Sequence, residues 1–167
     1  MHFLSVDHVG VAVSDLERST KWWTAFLGEK PFFTSAESAS GTDDYVGRVV
    51  GYEACDLSVA FWALPGGGAL ELLQYRNPPP GRVDMETYNA GNTHLCFQTQ
   101  DINSDYARMR SFAEFRSSQP VAITQGPYCG GYVCYLRDPD GISIELLELR
   151  SGSVRDRQLL LAAIPKP

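Results

Sequence analysis

Two stretches of the chain are near copies of each other, and they decide the fold. The first, at positions 7–16, reads DHVGVAVSDL, and the second, at positions 93–102, reads THLCFQTQDI. Each has a histidine in second place, an alternating apolar run, an aspartate seven positions after the histidine, and then an aliphatic residue. The alternation predicts a half-buried strand, and the pattern that follows each stretch predicts a helix. The chain therefore contains an internal repeat.

A second pair of near copies closes each half of the chain. Residues 70–74 read LELLQ and residues 144–148 read IELLE, so each places one glutamate among aliphatic residues of a predicted strand. The order of a histidine strand, a helix, further strands and a glutamate strand thus occurs twice. This order predicts an α+β fold built from two tandem βαβββ modules, together forming one domain.

The boundaries of the modules follow from composition. The first copy is longer than the second, and the extra residues are assigned to a stretch rich in Ser, Gly and Asp. A segment with three consecutive prolines is assigned to the linker, and the last residues, with a helical pattern at 154–164, to a tail. The expected parts are a first module at 1–76 with an insertion at 35–52, a linker at 77–91, a second module at 92–150, and a C-terminal tail at 151–167.

Local signals give finer expectations. Ser14 is expected to cap the first helix, with a glutamate three residues on, and Gly28 is expected to end that helix. A short strand is expected within the insertion, at 49–51. In the second copy, Asp101 is expected to cap a helix over 103–115.

Composition and charge exclude several classes of protein. The 167 residues are 44% hydrophobic and 20% charged, as in folded globular proteins, and the net charge of -6 argues against nucleic acid as a partner. The longest apolar run, at 159–165, is far shorter than the roughly 20 residues that a membrane span needs. Residues 1–10 lack the cationic start and apolar stretch of a signal peptide. We therefore expect a cytoplasmic protein that does not bind membranes, with reduced thiols at Cys55, Cys96, Cys129 and Cys134.

The two histidines and two glutamates fall on one type of strand face. Successive side chains of a strand point to opposite faces, so in all four predicted strands the bulky aliphatic residues share one side. The histidine or the glutamate takes the other side, among small or polar residues, which is the natural wall of a cavity. The residues concerned are His8, Glu71, His94 and Glu145.

These four side chains favour a metal site. A carboxylate flanked by leucines is costly to bury without a cation, a base or water beside it. Two imidazoles and two carboxylates form an N2O2 donor set that suits a divalent first-row metal. A single strand histidine is more often a packed or hydrogen-bonded residue, but the same pair in two matched contexts favours metal binding.

With these residues in view, the sequence resembles the vicinal oxygen chelate superfamily. That superfamily includes glyoxalase I, methylmalonyl-CoA epimerase, extradiol ring-cleavage dioxygenases, and fosfomycin- and bleomycin-resistance proteins. The resemblance covers about 6–149 and is carried by DHVG at 7–10, LELL at 70–73, THL at 93–95 and DPDGISIEL at 138–146. It implies that the curled sheets of the modules form a half-open barrel around one metal ion. The protein ligands that it implies are His8, Glu71, His94 and Glu145.

The resemblance also implies a reaction, of the glyoxalase I or methylmalonyl-CoA epimerase type. In such an isomerase or lyase, one divalent ion (Ni, Co, Zn, Mn or Mg) binds oxygens of a small carbonyl or thioester substrate and stabilises an enediolate. A carboxylate moves the proton on carbon. Glu145 is expected to be the base and Glu71 its partner on the opposite face of the substrate. No organic cofactor is expected.

Two other functions stay open. An extradiol-type dioxygenase would hold Fe(II) with His8, His94 and Glu145, and then Glu71 should not be a ligand. A resistance-type protein would bind a small molecule without catalysis, but it would have no need of all four ligand-type residues. We expect a homodimer in each case, with the modules pairing within one chain or across the dimer.

Overall fold

The computed structural model describes residues 4–35 and 45–149. The chain divides into two compact units, unit 1 (Met1–Asp84) and unit 2 (Met85–Pro167). Each unit contains one mixed β-sheet, and helices are few. The α+β class predicted from the sequence is confirmed.

Unit 1 contains the first copy of the repeat. Its sheet has the strand order β1-β4-β3-β2, in which β1 runs parallel to β4 and the other neighbours are antiparallel. The parallel pair places the first and last strands of the unit side by side. The elements are β1 (His8–Ala12), α1 (Leu16–Leu27), β2 (Phe33–Thr34), α2 (Tyr45–Val50), β3 (Asp56–Ala63) and β4 (Ala69–Asn77).

Unit 2 repeats this plan with the second copy. Its sheet has the order β5-β9-β8-β6, with β7 paired to β8, and again its first and last strands are parallel neighbours. The elements are β5 (His94–Thr99), α3 (Ile102–Met109), β6 (Glu114–Phe115), β7 (Val121–Ala122), β8 (Tyr132–Arg137) and β9 (Ser143–Glu148).

An equivalent hydrogen bond in each unit links the helix to the last strand. In unit 1 the Gln74 side chain of β4 accepts a hydrogen bond of 2.9 Å from the backbone N–H of Leu16, the first residue of α1. In unit 2 the buried Glu148 carboxylate of β9 accepts one of 2.9 Å from the N–H of Ile102, the first residue of α3. Each bond satisfies a helix N–H that has no partner within its own helix.

The aliphatic faces of the last strands form the core of each unit. Leu70 and Leu72 of β4 are fully buried, as is Ile144 of β9, and Leu146 is 2% exposed. The glutamate between each pair of aliphatic residues therefore lies on the opposite face of its sheet, as the alternation predicts.

Three local predictions are wrong for identifiable reasons. Asp15, and not Ser14, caps α1, because its backbone is extended and its carboxylate accepts a hydrogen bond from the N–H of Arg18. Residues 49–50 belong to helix α2, because the N–H of Gly51, at a positive φ of 79°, bonds back to the carbonyl of Gly47 and closes a helical turn.

The third error concerns the end of the second helix. The helix predicted over 103–115 ends at Met109, whose carbonyl accepts from the N–H groups of both Phe112 and Ala113 in a closing turn. Residues 114–115 instead form β6, because they pair with β8. Asp101 caps α3, and Gly28 ends α1 in a left-handed conformation, so these two predictions are confirmed.

Parts of the expected organisation lie outside the described residues. These are residues 36–44 of the predicted insertion and the predicted tail at 151–167 with its helical pattern. In the described ranges 4–35 and 45–149, no helix is long and apolar enough to cross a membrane.

The turn that precedes β4 gives a stability prediction. A Cβ atom on Gly68, at φ +80°, would lie 2.9 Å from the carbonyl oxygen of Asp7, whereas Gly67 in the same turn has open space around it. We expect Gly67→Ala to cost about 1–2 kcal/mol of unfolding free energy through backbone strain alone. Gly68→Ala should cost roughly 1–3 kcal/mol more through the clash, measured by urea unfolding. Equal losses in the two variants would contradict this account.

A second prediction concerns Glu86, near the start of unit 2. The Glu86 carboxylate binds Arg137 of β8 at 2.5 Å and Arg116 at 3.0 Å, and these hydrogen bonds lower the pKa of Glu86. A lowered pKa stabilises the fold above the ordinary pKa of a glutamate, and this stabilisation is lost as pH falls through the lowered value. Glu86→Gln should therefore reduce Tm near pH 7, and the difference from wild type should vanish in acid. Glu53→Gln, which removes one charge from an exposed position of unit 1, is the control and should show no such convergence.

Candidate functional site

In unit 1 the parallel pairing of β1 with β4 brings His8 and Glu71 together. Gly10 is the register partner of Glu71, so His8 lies two residues before that partner and on the same face. The Nε2 atom of His8 is 3.3 Å from Oε2 of Glu71. The Glu71 side chain is only 16% exposed, whereas that of His8 is 45% exposed. The imidazole of the pair is therefore partly exposed to solvent, and the carboxylate beside it is largely buried.

His8 has a second acidic neighbour, which fixes its ring. Its Nδ1 atom lies 2.9 Å from the carboxylate of Asp7. A carboxylate can only accept, so Nδ1 carries the hydrogen and, in the neutral ring, Nε2 keeps its lone pair facing Glu71. This is the tautomer that a metal ligand needs at Nε2.

The charges in this pair influence one another. Burial raises the pKa of the Glu71 carboxyl, and the nearby His8 opposes part of that rise. The pKa of His8 is raised mainly by its hydrogen bond with Asp7, with a further contribution from Glu71. Both shifts favour the protonated form of the group concerned.

In unit 2 the equivalent strands bring His94 and Glu145 together in the same way. Cys96 is the register partner of Glu145, and His94 lies two residues before it. The Nε2 atom of His94 is 2.9 Å from Oε2 of Glu145, and the exposures repeat those of unit 1, at 43% for the imidazole and 15% for the carboxylate. Each sequence-predicted histidine thus lies beside the predicted glutamate of its own module.

In unit 2 a tyrosine hydroxyl contacts the His–Glu pair, whereas the equivalent residue of unit 1 is Phe61. The hydroxyl of Tyr135, on β8, donates a hydrogen bond of 2.7 Å to Oε2 of Glu145 and lies 3.4 Å from Nε2 of His94. The rings of His94 and Tyr135 meet edge to face at 5.3 Å. One hydroxyl thus contacts both members of the pair.

The two other groups on Glu145 keep their hydrogens at neutral pH. Loss of hydration beside Glu145 raises the pKa of the Cys96 thiol to about 11, and a hydrogen bond to that carboxylate contributes. Burial, together with the same carboxylate, raises the pKa of Tyr135. Both groups are therefore neutral donors, and they direct their hydrogens at one carboxylate.

The donor atoms fit a divalent metal within each unit. An imidazole nitrogen and a carboxylate oxygen converge within about 3 Å in both pairs, which is the donor chemistry that Zn, Ni and Co accept. Among the residues that the structure describes, no group of three or more His, Cys, Asp or Glu side chains is arranged to hold an ion. Each described pair brings one imidazole nitrogen and one carboxylate oxygen together.

An open groove of about 550 Å³ lies beside the pair of unit 1. Three of its seven lining residues are phenylalanines, and the ring of one of them, Phe61, meets the His8 ring edge to face at 6.2 Å. A volume in this range suits a small molecule. Its lining includes Asp7, Phe32, Phe33, Phe61 and Ala69.

Sequence reasoning missed Asp7 and Tyr135 as members of the site. Asp7 precedes the histidine in the quoted motif, but no role was assigned to it. Tyr135 lies ten residues before Glu145, just as Phe61 lies ten residues before Glu71. An alignment of the two copies that matches β3 with β8 would have placed Tyr135 opposite the glutamate, in the position of Phe61.

Comparison with known protein families identifies the family of the chain. Residues 5–146 match the model of the glyoxalase/bleomycin resistance protein/dioxygenase superfamily. The match covers most of the chain and includes both His–Glu pairs. The chain therefore belongs to this superfamily, which is the vicinal oxygen chelate superfamily that its sequence resembles.

One curated relative adds a finer similarity. A 2-epi-5-epi-valiolone epimerase from Actinomyces sp. is 27% identical over 157 residues, which cover 93% of this chain and 85% of the relative. The similarity thus extends through both copies of the repeat.

Solved structures share the fold at lower identity. A glyoxalase family protein from Bacillus cereus superposes with a TM-score of 0.68 at 21% identity, covering 90% of this chain and 97% of the other. The trypanothione-dependent glyoxalase I of Leishmania major superposes with a TM-score of 0.58 at 20% identity, covering 96% and 93%. At such identities these structures establish the fold alone.

Proposed function

We propose that this chain is a divalent-metal-dependent isomerase or lyase, of the epimerase kind, that moves a proton on the carbon next to a carbonyl group. The observation that carries the proposal is the duplicated His–Glu pair, His8 with Glu71 and His94 with Glu145. In each pair the imidazole nitrogen and the carboxylate oxygen lie 3.3 Å or less apart. Membership of the superfamily and the epimerase relative support the reaction type.

The proposed ligands of one divalent ion are His8, Glu71, His94 and Glu145. The chemistry that a bound divalent ion supplies is Lewis acidity toward substrate oxygens, which makes the neighbouring C–H bond more acidic. This assignment rests on the donor chemistry of the two pairs and on the family. Nickel, cobalt, zinc, manganese and magnesium are the candidate ions.

The two carboxylates are the proposed proton carriers. Glu145 takes the proton from carbon, the C–H electron pair moves into the carbonyl system, and an enolate results. Glu71 returns a proton to the same carbon from the opposite face. Atoms and charge balance without an oxidant or reductant, and the product differs from the substrate in configuration.

The substrate is proposed to be a small ketone or a thioester. The relative is named for a valiolone, a name whose ending denotes a ketone. The groove beside His8, with its three phenylalanine rings, offers an apolar surface to the carbon skeleton of such a compound.

The setting of the reaction is also a proposal. We propose that the chain acts as a homodimer in the cytoplasm on a small molecule, and not on nucleic acid or at a membrane. Light scattering of the purified protein measures the mass of the assembly, and twice the chain mass is the expected value.

The first experiment measures metal content and proton exchange together. Protein purified without chelators should contain about one equivalent of Ni, Co, Zn, Mn or Mg per chain by elemental analysis. In D₂O it should exchange the proton on carbon of 2-epi-5-epi-valiolone, methylmalonyl-CoA, or the hemithioacetal of methylglyoxal and glutathione, as followed by NMR. Iron alone would favour a ring-cleavage dioxygenase. An absence of metal after reconstitution would favour a binding protein.

Variants then test the site residues. We expect His94→Ala to lose metal, and Glu145→Ala to lose metal or to lower the exchange rate by about 10²- to 10⁴-fold, the usual contribution of a general base. Both variants should remain folded, because the altered side chains lie outside the aliphatic core. Gln98→Ala, at an exposed position on the same strand as His94, is the control. Normal exchange in Glu145→Ala would refute its role as the base.

A further inference from the structure

The two His–Glu pairs have the same backbone frame but different surroundings. Equivalent register positions can be compared directly, because Phe61 and Tyr135 both stand opposite the glutamate of their unit. Unit 1 has small or apolar residues at these positions, and unit 2 has polar ones. The equivalent positions are Gly10 and Cys96, Phe61 and Tyr135, Ala63 and Arg137, and Ala69 and Ser143.

The phenylalanine in unit 1 shows that the tyrosine hydroxyl is not needed to build the sheet. Phe61 and Tyr135 have the same register, both are half-buried, and both rings meet the histidine of their unit edge to face. The aromatic ring therefore meets the packing requirement in both units. What Tyr135 adds is a single oxygen atom.

That oxygen lies where it can orient the pair. The hydroxyl is 2.7 Å from Oε2 of Glu145, a short bond of the kind that a charged acceptor favours, and 3.4 Å from Nε2 of His94. The imidazole nitrogen and carboxylate oxygen are 2.9 Å apart here and 3.3 Å apart in unit 1, where Phe61 offers no hydroxyl. The pair with the hydroxyl is thus the closer one.

We infer that Tyr135 is a positioning residue, whose hydroxyl fixes the Glu145 carboxylate against His94 and makes this pair the better-ordered half of the metal site. The inference rests on the proposed function, since it concerns the ion that these residues would hold. Groups that hydrogen-bond to metal ligands set the ligand orientation, and their removal typically costs about 10- to 100-fold in metal affinity. Unit 1 has no such donor at the equivalent position, because Phe61 occupies it.

The experiment titrates metal-free protein with Zn²⁺ alone and compares Tyr135→Phe with wild type by calorimetry. We expect the Kd to rise by about 10- to 100-fold while the Tm of the metal-free protein changes little. Tyr106→Phe is the matched control, because it also removes one tyrosine hydroxyl, in this case one that donates to the backbone carbonyl of Ser117 at 3.1 Å. The control should leave the Kd unchanged.

A spectroscopic measurement separates positioning from a general loosening of the fold. With Co²⁺ bound, the visible absorption bands report the geometry of the ligands, so Tyr135→Phe should shift these bands and Tyr106→Phe should not. An unchanged Kd and spectrum in Tyr135→Phe, with wild type binding metal, would overturn the inference and leave the proposed function standing. Failure of wild type to bind any divalent ion would overturn both.

Discussion

Parallel pairing of the first and last strands within each unit is the constraint on which the site depends. These strands are distant in sequence, yet β1 lies beside β4 and β5 beside β9 in matching registers. Because parallel neighbours point their paired side chains to the same face, a histidine two residues before the register partner of a glutamate must lie close to it. A register shift of one residue would place the histidine on the opposite face of the sheet, away from the glutamate.

The helix contributes to this constraint through the strand that bears the glutamate. Gln74 and Glu148 each reach from the last strand to the first N–H of the helix that follows the histidine strand. These hydrogen bonds therefore attach the start of the helix, and the turn before it, to the last strand of the unit. The aliphatic residues of that strand are buried, so packing and hydrogen bonding fix the same register. The glutamates are therefore carried by strands that both packing and hydrogen bonding hold in place.

The duplication gives both units the same backbone register around the glutamate, but the side chains near the two glutamates differ. The backbone register is the same around both glutamates, but one carboxylate faces a phenylalanine ring and the other accepts a tyrosine hydroxyl and a cysteine thiol. The superfamily to which the chain belongs contains glyoxalases, resistance proteins and dioxygenases, so the fold alone does not select a reaction. Differences of this kind between the side chains of the two units can select one reaction among those that the fold supports.

The sequence by itself determined the α+β class, the repeat, and the face on which His8, Glu71, His94 and Glu145 lie, because alternation along a strand is a local property. It misassigned residues 49–50 and 114–115, because short segments adopt whichever structure their neighbours in space stabilise, a helical turn in one case and pairing with β8 in the other. Only the tertiary structure joined each histidine to its glutamate, and placed Tyr135 on Glu145 and Asp7 on His8. Register between strands far apart in the chain is fixed by packing and hydrogen bonding across the sheet, and no local pattern of residues specifies it.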